Sequence, residues 1–265
     1  MANMLEVKNL RIQFKSRPDK WAVDGVSFSI EEGKILGLVG ESGSGKSVTA
    51  MAISGLLQRS LIEYEGNVLV DGREMLDTDR EDIHDMQGTD LAIVFQEPMT
   101  ALDPVMKVGR QVEEALSIHY PEMSDEEKKE KALKAMTQAG LFDVEEIYEK
   151  YPHELSGGML QRVCIAAAII SNPKLLICDE PTTALDVTTQ EHIIDLLRKI
   201  NVESNTAILF ISHNLAVVRA LCDKVIVMQK GKIVESGDIE DVYNNPKHPY
   251  TKKLIAAIPS RDKRY

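Results

Sequence analysis

The chain of 265 residues carries a net charge of −11 at pH 7, with 43% hydrophobic and 28% charged residues. This composition is typical of a soluble globular protein with a substantial core. The acidic balance argues against a nucleic-acid surface, because neutralising phosphates requires clustered lysine and arginine. The first ten residues lack a signal peptide's basic and apolar regions, and no apolar run approaches the roughly 20 residues of a membrane-spanning helix. We therefore expect a cytoplasmic protein.

The three cysteines, Cys164, Cys178 and Cys222, lie far apart within apolar segments. Their positions predict buried thiols in a reducing compartment. Neither a disulfide framework nor a cysteine metal site is indicated.

The N-terminal half of the chain begins with strand-like sequence and continues with helix-like sequence. Residues 4–37 contain short apolar runs interrupted by the polar loop "KSRPDK", which predicts strands of a sheet. Residues 97–155 are polar and predicted to be helical. Within them, Ser124 and Glu127 form a capping-box pattern, and Gly140 stands where a helix is expected to end.

From residue 160 onward, predicted helices alternate with the short apolar strands "KLLICD", "AILFIS" and "KVIVMQ". This alternation predicts parallel βαβ units. The helix between the first two of these strands carries an apolar face at spacings of three, four and seven residues, formed by Ile193, Leu196, Leu197 and Ile200. Residues 231–265 are predicted to form a short tail.

The segment "GESGSGKS", residues 40–47, matches the phosphate-loop pattern G-x-x-x-x-G-K-[ST] between a predicted strand and a predicted helix. Its glycines allow successive backbone amides to converge on phosphate oxygens. Lys46 is expected to reach the β- and γ-phosphates, and the Ser47 hydroxyl to bind Mg²⁺. The alternative is a flexible Gly/Ser turn. The predicted phosphate-binding residues are Gly40, Glu41, Ser42, Gly43, Ser44, Gly45, Lys46 and Ser47.

The apolar strand in "LLICDEP" ends in two acidic residues. In α/β folds ligands bind at this edge of the sheet, so we expect Asp179 to hold Mg²⁺ through water and Glu180 to polarise an attacking water. The alternative interpretation is a pair of solvated acids in a turn before Pro181.

Two further polar residues follow predicted strands. Gln96 ends "LAIVFQ" and is a candidate ligand for Mg²⁺ or the attacking water. His213 ends "AILFISH" and is a candidate contact to the γ-phosphate that also orients the water. A single such residue is more often structural, but four polar strand ends are expected at one sheet edge beside the phosphate loop.

In "HELSGGMLQR", Ser156, Gly157 and Gly158 precede an apolar helical run. One interpretation is an N-cap serine followed by a flexible turn. The other is an anion site, because open backbone amides at a helix N-terminus favour negative charge.

The ordered set "GESGSGKS", Gln96, "LSGGM", "LLICDE", "ALD" at 184–186 and His213 resembles the ATP-binding subunits of ABC transporters over essentially the whole chain. The resemblance implies ATP hydrolysis with ATP and Mg²⁺ as cofactors. It implies an α/β fold with a P-loop NTPase (RecA-like) core, an N-terminal antiparallel β subdomain and an inserted α-helical subdomain. The implied single nucleotide-binding domain, 1–265, has a core at 1–96 and 156–230, a helical subdomain at 97–155 and a tail at 231–265.

The resemblance also implies partners and further site residues. Two such domains pair head to tail, so that the Ser156–Gly158 segment closes over the γ-phosphate bound by the other subunit, and Asp186 shapes the dimer seam. Met159 stands where the family usually has glutamine, which puts one polar contact in doubt. Phe14 is the expected adenine platform and Trp21 the alternative. The helical subdomain is expected to contact two transmembrane permease subunits, with Gln96 as the hinge.

Three phrases, "FQEPMTALDPVMKVGRQVEEAL", "HELSGGMLQRVCIA" and "NPKHPYTKKLIAAIP", resemble dipeptide, oligopeptide and nickel importers. We expect a peptide importer at the cytoplasmic face of a bacterial membrane, supplied by an extracytoplasmic solute-binding protein. A nickel or metallophore importer is the alternative. Many oligopeptide members continue into an extension with a cysteine cluster, which is expected to be absent or removed here.

Two other functional classes are disfavoured. A soluble ABC-type ATPase acting on DNA or ribosomes usually carries a coiled-coil insertion or a second domain, and neither is present in this sequence. A non-hydrolysing regulatory module would be expected to lose Glu180 or His213, and the chain has both.

Overall fold

The computed structural model describes residues 3–183 and 185–258. Ala184 of the "ALD" segment and residues 259–265 of the predicted tail lie outside the described residues. Two units are distinguished: the first comprises the chain up to Thr78 and from Ala207 onward, and the second comprises Asp79–Thr206.

The described residues form ten strands: β1 (Asn3–Phe14), β2 (Trp21–Glu31), β3 (Ile35–Val39), β4 (Ile62–Val70), β5 (Arg73–Glu74), β6 (Leu91–Val94), β7 (Leu175–Asp179), β8 (Ala207–Ser212), β9 (Lys224–Gln229) and β10 (Lys232–Asp238). Their helices are α1 (Lys46–Ile53), α2 (Arg80–Met86), α3 (Pro98–Ala101), α4 (Val108–Val112), α5 (Glu114–His119), α6 (Asp125–Gln138), α7 (Val144–Tyr148), α8 (Gly157–Ile169), α9 (Val187–Ser204), α10 (Leu215–Leu221), α11 (Ile239–Asn244) and α12 (Pro249–Ala256). Two short 3₁₀ turns cover Arg59–Leu61 and Pro152–Glu154.

The first unit contains an antiparallel sheet in the order β2-β1-β4-β5 and a second group of strands in the order β10-β9-β3-β8. In the second group, β3 is parallel to both β8 and β9, and β10 is antiparallel to β9. Every residue of β3 and β8 is buried, as expected for parallel strands covered on both faces. The predicted antiparallel β subdomain is therefore confirmed.

The second unit contains the parallel pair β6 and β7 and helices α2 to α9. Helix α6 begins with the predicted capping box of Ser124 and Glu127, and Gly140 follows its end with a φ of 74°. The predicted apolar face of α9 is buried. The predicted helical subdomain, 97–155, lies inside this unit, and its boundaries remain a prediction.

All three cysteine thiols are free and buried, as predicted. Burial raises the pKa of the Cys164 thiol to about 12, which keeps it protonated and unreactive at neutral pH. Among helices in the described ranges, none combines the length and the hydropathy that crossing a bilayer requires.

Candidate functional site

The phosphate loop, residues 40–47, connects β3 to α1 in the first unit. Strand β3 ends at Val39, and α1 begins at Lys46 with Gly45 as its N-cap. Gly45 has a φ of 108°, which residues with a Cβ rarely adopt. The turn therefore places the last loop residues at the start of α1, where backbone amides point outward.

The backbone around the loop leaves no room for side chains at two of its glycines. A Cβ on Gly40 would lie 2.3 Å from the carbonyl oxygen of Met228 and 2.7 Å from Ser44 Oγ. A Cβ on Gly45 would lie 2.6 Å from the carbonyl oxygen of Ala22. The tight turn thus depends on glycine at both positions, as the phosphate-loop prediction requires.

Polar groups inside the loop fit a bound phosphate. The Lys46 side chain is 4% exposed, and its Nζ donates to the carbonyl oxygens of Gly40 at 2.8 Å and Glu41 at 3.1 Å. Ser44 Oγ is buried and has no hydrogen-bond partner among the described residues. A buried ammonium and an unsatisfied hydroxyl are both stabilised by an anionic oxygen. The Ser47 side chain is exposed at the start of α1.

His213 follows β8 at the same edge of the sheet at which the phosphate loop follows β3. Ser212, the last residue of β8, pairs with Val39, the last residue of β3. His213 follows Ser212 directly and is exposed, and Asn214 then caps α10 by accepting from the amide of Ala216. The strand pairing thus brings His213 and the loop to adjacent positions, as predicted.

Two aromatic side chains remain candidates for an adenine platform. Phe14 ends β1 and Trp21 begins β2, and both are half-buried. The Arg11 guanidinium lies 5.8 Å from the centre of the Trp21 ring. Phe14 as the adenine platform, with Trp21 as the alternative, therefore stays a prediction.

In the second unit, the polar residues after β6 and β7 lie side by side. Val94 of β6 pairs with Cys178 of β7 in parallel. Gln96 is therefore two residues beyond a strand whose neighbour ends in Asp179 and continues into Glu180. The pairing brings the predicted metal and water ligands of this unit to one edge.

Glu180 has a left-handed backbone conformation with a φ of 51°. This conformation is uncommon for a residue with a Cβ, and such residues concentrate at functional sites. One Glu180 carboxylate oxygen accepts a 2.9 Å hydrogen bond from Thr183 Oγ1. No sequence motif singles out Thr183, whose only signal is a hydroxyl three residues after the acid.

Ser156 is the N-cap of α8, and its Oγ accepts from the amide of Met159 at 3.4 Å. The N-cap interpretation of Ser156 is therefore correct, but no flexible turn follows it, because α8 begins directly at Gly157. An N-cap serine is compatible with anion binding at the same helix terminus. Around a Cβ built on Gly157 there is open space, whereas one on Gly158 would lie 2.9 Å from Thr189 Cγ2.

Asp186 is the N-cap of α9. Its carboxylate accepts from Thr189 Oγ1 at 2.7 Å and from the Thr189 amide at 2.9 Å, and these bonds lower the pKa of Asp186. Thr189 therefore touches Asp186 and also lies beside Gly158. Thr189 has no signal in the sequence pattern, because its contact with Gly158 joins two helices that are separated along the chain.

Residues 23–183 match the family described as ABC transporter, and residues 234–265 match the family described as oligopeptide/dipeptide transporter, C-terminal region. The dipeptide transport ATP-binding protein DppD of Lactococcus lactis is 44% identical over 98% of this chain and 74% of its own length. The oligopeptide transport ATP-binding protein AppD of Bacillus subtilis is 43% identical over 99% of this chain and 80% of its own length.

Solved structures show the same fold. The ATP-binding cassette MJ0796, in a dimeric post-hydrolysis state bound to ADP and Pi, is 31% identical with a TM-score of 0.80, over 89% of this chain and 99% of its own. CbiO1 from Clostridium perfringens, part of the ABC transporter complex cbiONQ, is 27% identical with a TM-score of 0.78 over 92% of each chain. With a P-loop NTPase fold and a family match over more than half of its length, the chain belongs to the ABC transporter ATPases, which hydrolyse ATP with Mg²⁺.

Proposed function

We propose that this ATPase energises a bacterial importer of dipeptides or oligopeptides. The observation that carries the proposal is the match of residues 234–265 to the oligopeptide/dipeptide transporter C-terminal region. The names of the relatives support it, since they refer to dipeptide and oligopeptide transport. They favour peptides over the nickel or metallophore alternative and over an ATPase unconnected to transport.

We propose that the phosphate loop binds the triphosphate, with Lys46 reaching the β- and γ-phosphates. The closed glycine cradle and the buried Lys46 and Ser44 support this assignment. Ser47, Gln96 and Asp179 carry the oxygen ligands that Mg²⁺ prefers. Bound Mg²⁺ neutralises charge on the phosphate oxygens.

We propose that Glu180 accepts a proton from the attacking water and that His213 orients this water beside the γ-phosphate. The Thr183 hydroxyl restrains the Glu180 carboxylate, which limits the number of orientations that the base samples. Phe14 stacks on the adenine. General-base catalysis of this kind typically contributes a factor of about 10² to 10⁴ in rate.

We further propose that two copies, or this chain and a paralogue, form a head-to-tail dimer at the cytoplasmic membrane face. In this arrangement Ser156, Gly157, Gly158 and Asp186 serve the nucleotide bound by the opposite subunit. Two transmembrane permease subunits bind the dimer, and an extracytoplasmic solute-binding protein delivers the peptide. The dimeric state of the similar cassette MJ0796 supports the pairing.

The substrate class is tested by uptake in a strain from which the gene for this chain is deleted. Uptake of a labelled dipeptide and a labelled oligopeptide should fall in the deletion strain, and the wild-type gene should restore it. The Glu180→Gln gene should not restore it, although the protein is present. Uptake of ⁶³Ni²⁺ should not change. Loss of nickel uptake with intact peptide uptake would instead establish the nickel alternative.

A further inference from the structure

The hydroxyl of Tyr250 in α12 contacts the backbone of the phosphate loop. The amide of Glu41 donates a 2.8 Å hydrogen bond to Tyr250 Oη. The Tyr250 side chain is only 5% exposed, whereas Glu41 lies at the surface, so this hydrogen bond is partly buried. A partly buried backbone amide that loses its partner has a desolvation cost.

The Tyr250 contact and a Lys46 contact hold the two ends of one peptide group. Lys46 Nζ donates to the carbonyl oxygen of Gly40 at 2.8 Å, and Tyr250 Oη accepts from the adjoining amide of Glu41. Because a peptide group is planar, fixing its C=O and its N–H together fixes its orientation. Tyr250 thus restrains the first turn of the loop from outside the loop itself.

The segment that carries Tyr250 is itself held by β10. The carboxylate of Glu235 accepts from the amides of Lys247 at 2.7 Å and His248 at 3.0 Å. His248 is the N-cap of α12, and its Nδ1 accepts from the amide of Tyr250 at 3.2 Å. This succession of bonds fixes the start of α12 and hence the position of the Tyr250 ring.

We infer that Tyr250 is a positioning residue for ATP binding: it orients the Gly40–Glu41 peptide group so that the phosphate loop is arranged for the triphosphate before nucleotide arrives. The inference rests on the proposed assignment of the phosphate loop to ATP. It gives the C-terminal region matched over residues 234–265 a direct role at the nucleotide site.

Loss of this restraint should weaken binding more than it slows chemistry. The loop binds phosphates both before and during hydrolysis, so a disordered loop weakens the two states about equally. Uniform loss of binding raises KM and leaves kcat nearly unchanged. One uncharged hydrogen bond corresponds to a change of about 3- to 10-fold in affinity.

The test compares Tyr250→Phe with the wild-type full-length chain. The substitution removes the hydroxyl and keeps the buried ring. Dissociation constants for MgATP and MgADP, measured by calorimetry, should each rise about 3- to 10-fold, and KM should rise in parallel with nearly constant kcat.

Tyr148→Phe is the matched control. The Tyr148 hydroxyl is also buried and donates to the carboxylate of Glu113, but it lies in the second unit. Both variants lose one buried hydroxyl, and both should melt at a lower temperature. Only Tyr250→Phe should change nucleotide affinity. Equal affinity in Tyr250→Phe and the wild type, or an equal loss in both variants, would overturn the inference.

A second pair of variants keeps the Tyr250 hydroxyl and changes His248, the N-cap of the helix that carries it. His248→Ala removes the N-cap of α12 and should weaken MgATP binding in the same direction but less. His248→Asn supplies another N-cap and should restore affinity. A His248→Ala chain with wild-type affinity would contradict a role for this segment. The phosphate-loop assignment is tested separately, because Lys46→Ala should abolish binding whatever Tyr250 does.

Discussion

Glu180 combines an acidic side chain with a backbone conformation that few residues with a Cβ adopt, at a φ of 51°. Such a conformation costs about 1–3 kcal/mol and persists only where the surroundings impose it. Here β7 precedes it and the Thr183 hydroxyl holds its carboxylate. This conformation fixes the direction of the Glu180 side chain at a cost to the stability of the fold, as is typical of residues at functional sites.

Glu180→Gln should bind MgATP with near wild-type affinity and hydrolyse it at least about 100-fold more slowly. The amide has the same shape as the carboxylate but cannot accept the proton of an attacking water. Calorimetry measures the binding, and phosphate release measures the turnover. The closed dimer should also persist, because ATP remains uncleaved.

Glu191→Gln on α9 is a control for the loss of one negative charge at an exposed position. It should hydrolyse ATP at the wild-type rate. Steady-state hydrolysis near the wild-type rate in Glu180→Gln would remove Glu180 from the catalytic role.

Among single residues, the sequence predicts the functional ones that belong to a local motif, because their neighbours along the chain identify them. The phosphate loop and Asp179–Glu180 follow apolar strands, and their spacing alone indicates phosphate and metal chemistry. The Glu41–Tyr250 bond joins residues 209 positions apart, and no local pattern contains it. The hydroxyl of Thr183 is not predictable for another reason: threonine is common in turns, and the hydrogen bond to Glu180 depends on the unusual backbone conformation of that residue.

Among the elements, α6 illustrates a helix whose start is encoded locally. Ser124 Oγ accepts from the amide of Glu127 at 3.3 Å, and the Glu127 carboxylate accepts from the amide of Ser124 at 2.9 Å. The two residues thus satisfy amides that would otherwise have no partner within the helix. The capping-box pattern predicted this start correctly.

Ser124→Ala should lower the free energy of unfolding by about 1 kcal/mol, because it removes the side-chain acceptor of the N-cap. Urea denaturation followed by circular dichroism measures the change. Ser117→Ala, at an exposed position within α5, is the control and should change stability much less. Equal stability of the Ser124→Ala chain and the wild type would show that this cap contributes nothing.

The contribution of Glu127 should depend on pH. Hydrogen bonds from the Ser124 amide and hydroxyl lower the pKa of Glu127 in the folded chain. A lowered pKa stabilises the fold above the unfolded value, about 4.3, and this stabilisation is lost as the pH falls through the folded pKa. The destabilisation caused by Glu127→Gln should therefore be present at pH 7 and diminish in acid, in the same denaturation assay.

The elements that the sequence defined less well are those held by side chain–backbone contacts. Residues 97–155 were predicted only as helical, and the structure divides them into α3 to α7 with loops between them. Gln111 is buried and bonds to the backbone of Asp103 and Met106, which fixes the loop before α4. Hydrophobic periodicity contains no information on such a contact, so the boundary between this loop and α4 was not predictable.

At the scale of the whole molecule, the proposed dimer gives a separate role to each of two helix N-termini of the chain. The N-terminus of α1 follows the phosphate loop, and the N-terminus of α8 is capped by Ser156. Each chain contributes one terminus to each of two ATP sites in the proposed head-to-tail pair. The assembly, and not the single chain, is then the unit that hydrolyses ATP.

Ser156→Arg should separate the two roles. The phosphate loop of the subunit that carries the substitution is unchanged, so this subunit in isolation should bind MgATP with near wild-type affinity. In the dimer, the bulky cation would enter the seam beside the opposite γ-phosphate and disturb the alignment that in-line attack requires. Hydrolysis by the assembled transporter should therefore fall at least about 100-fold, and transport with it.

Ser156→Ala is the matched control for this variant, because Ser156 also caps α8. Both substitutions lose the cap and should cost about 0.5–2 kcal/mol of stability, but only arginine adds bulk and charge. If cap loss were the whole effect, both variants would be impaired alike. In a heterodimer, Ser156→Arg should inactivate the site whose phosphate loop belongs to the other subunit. A lowered MgATP affinity in the isolated Ser156→Arg subunit, with normal affinity in Ser156→Ala, would mean that this segment serves the nucleotide of its own chain.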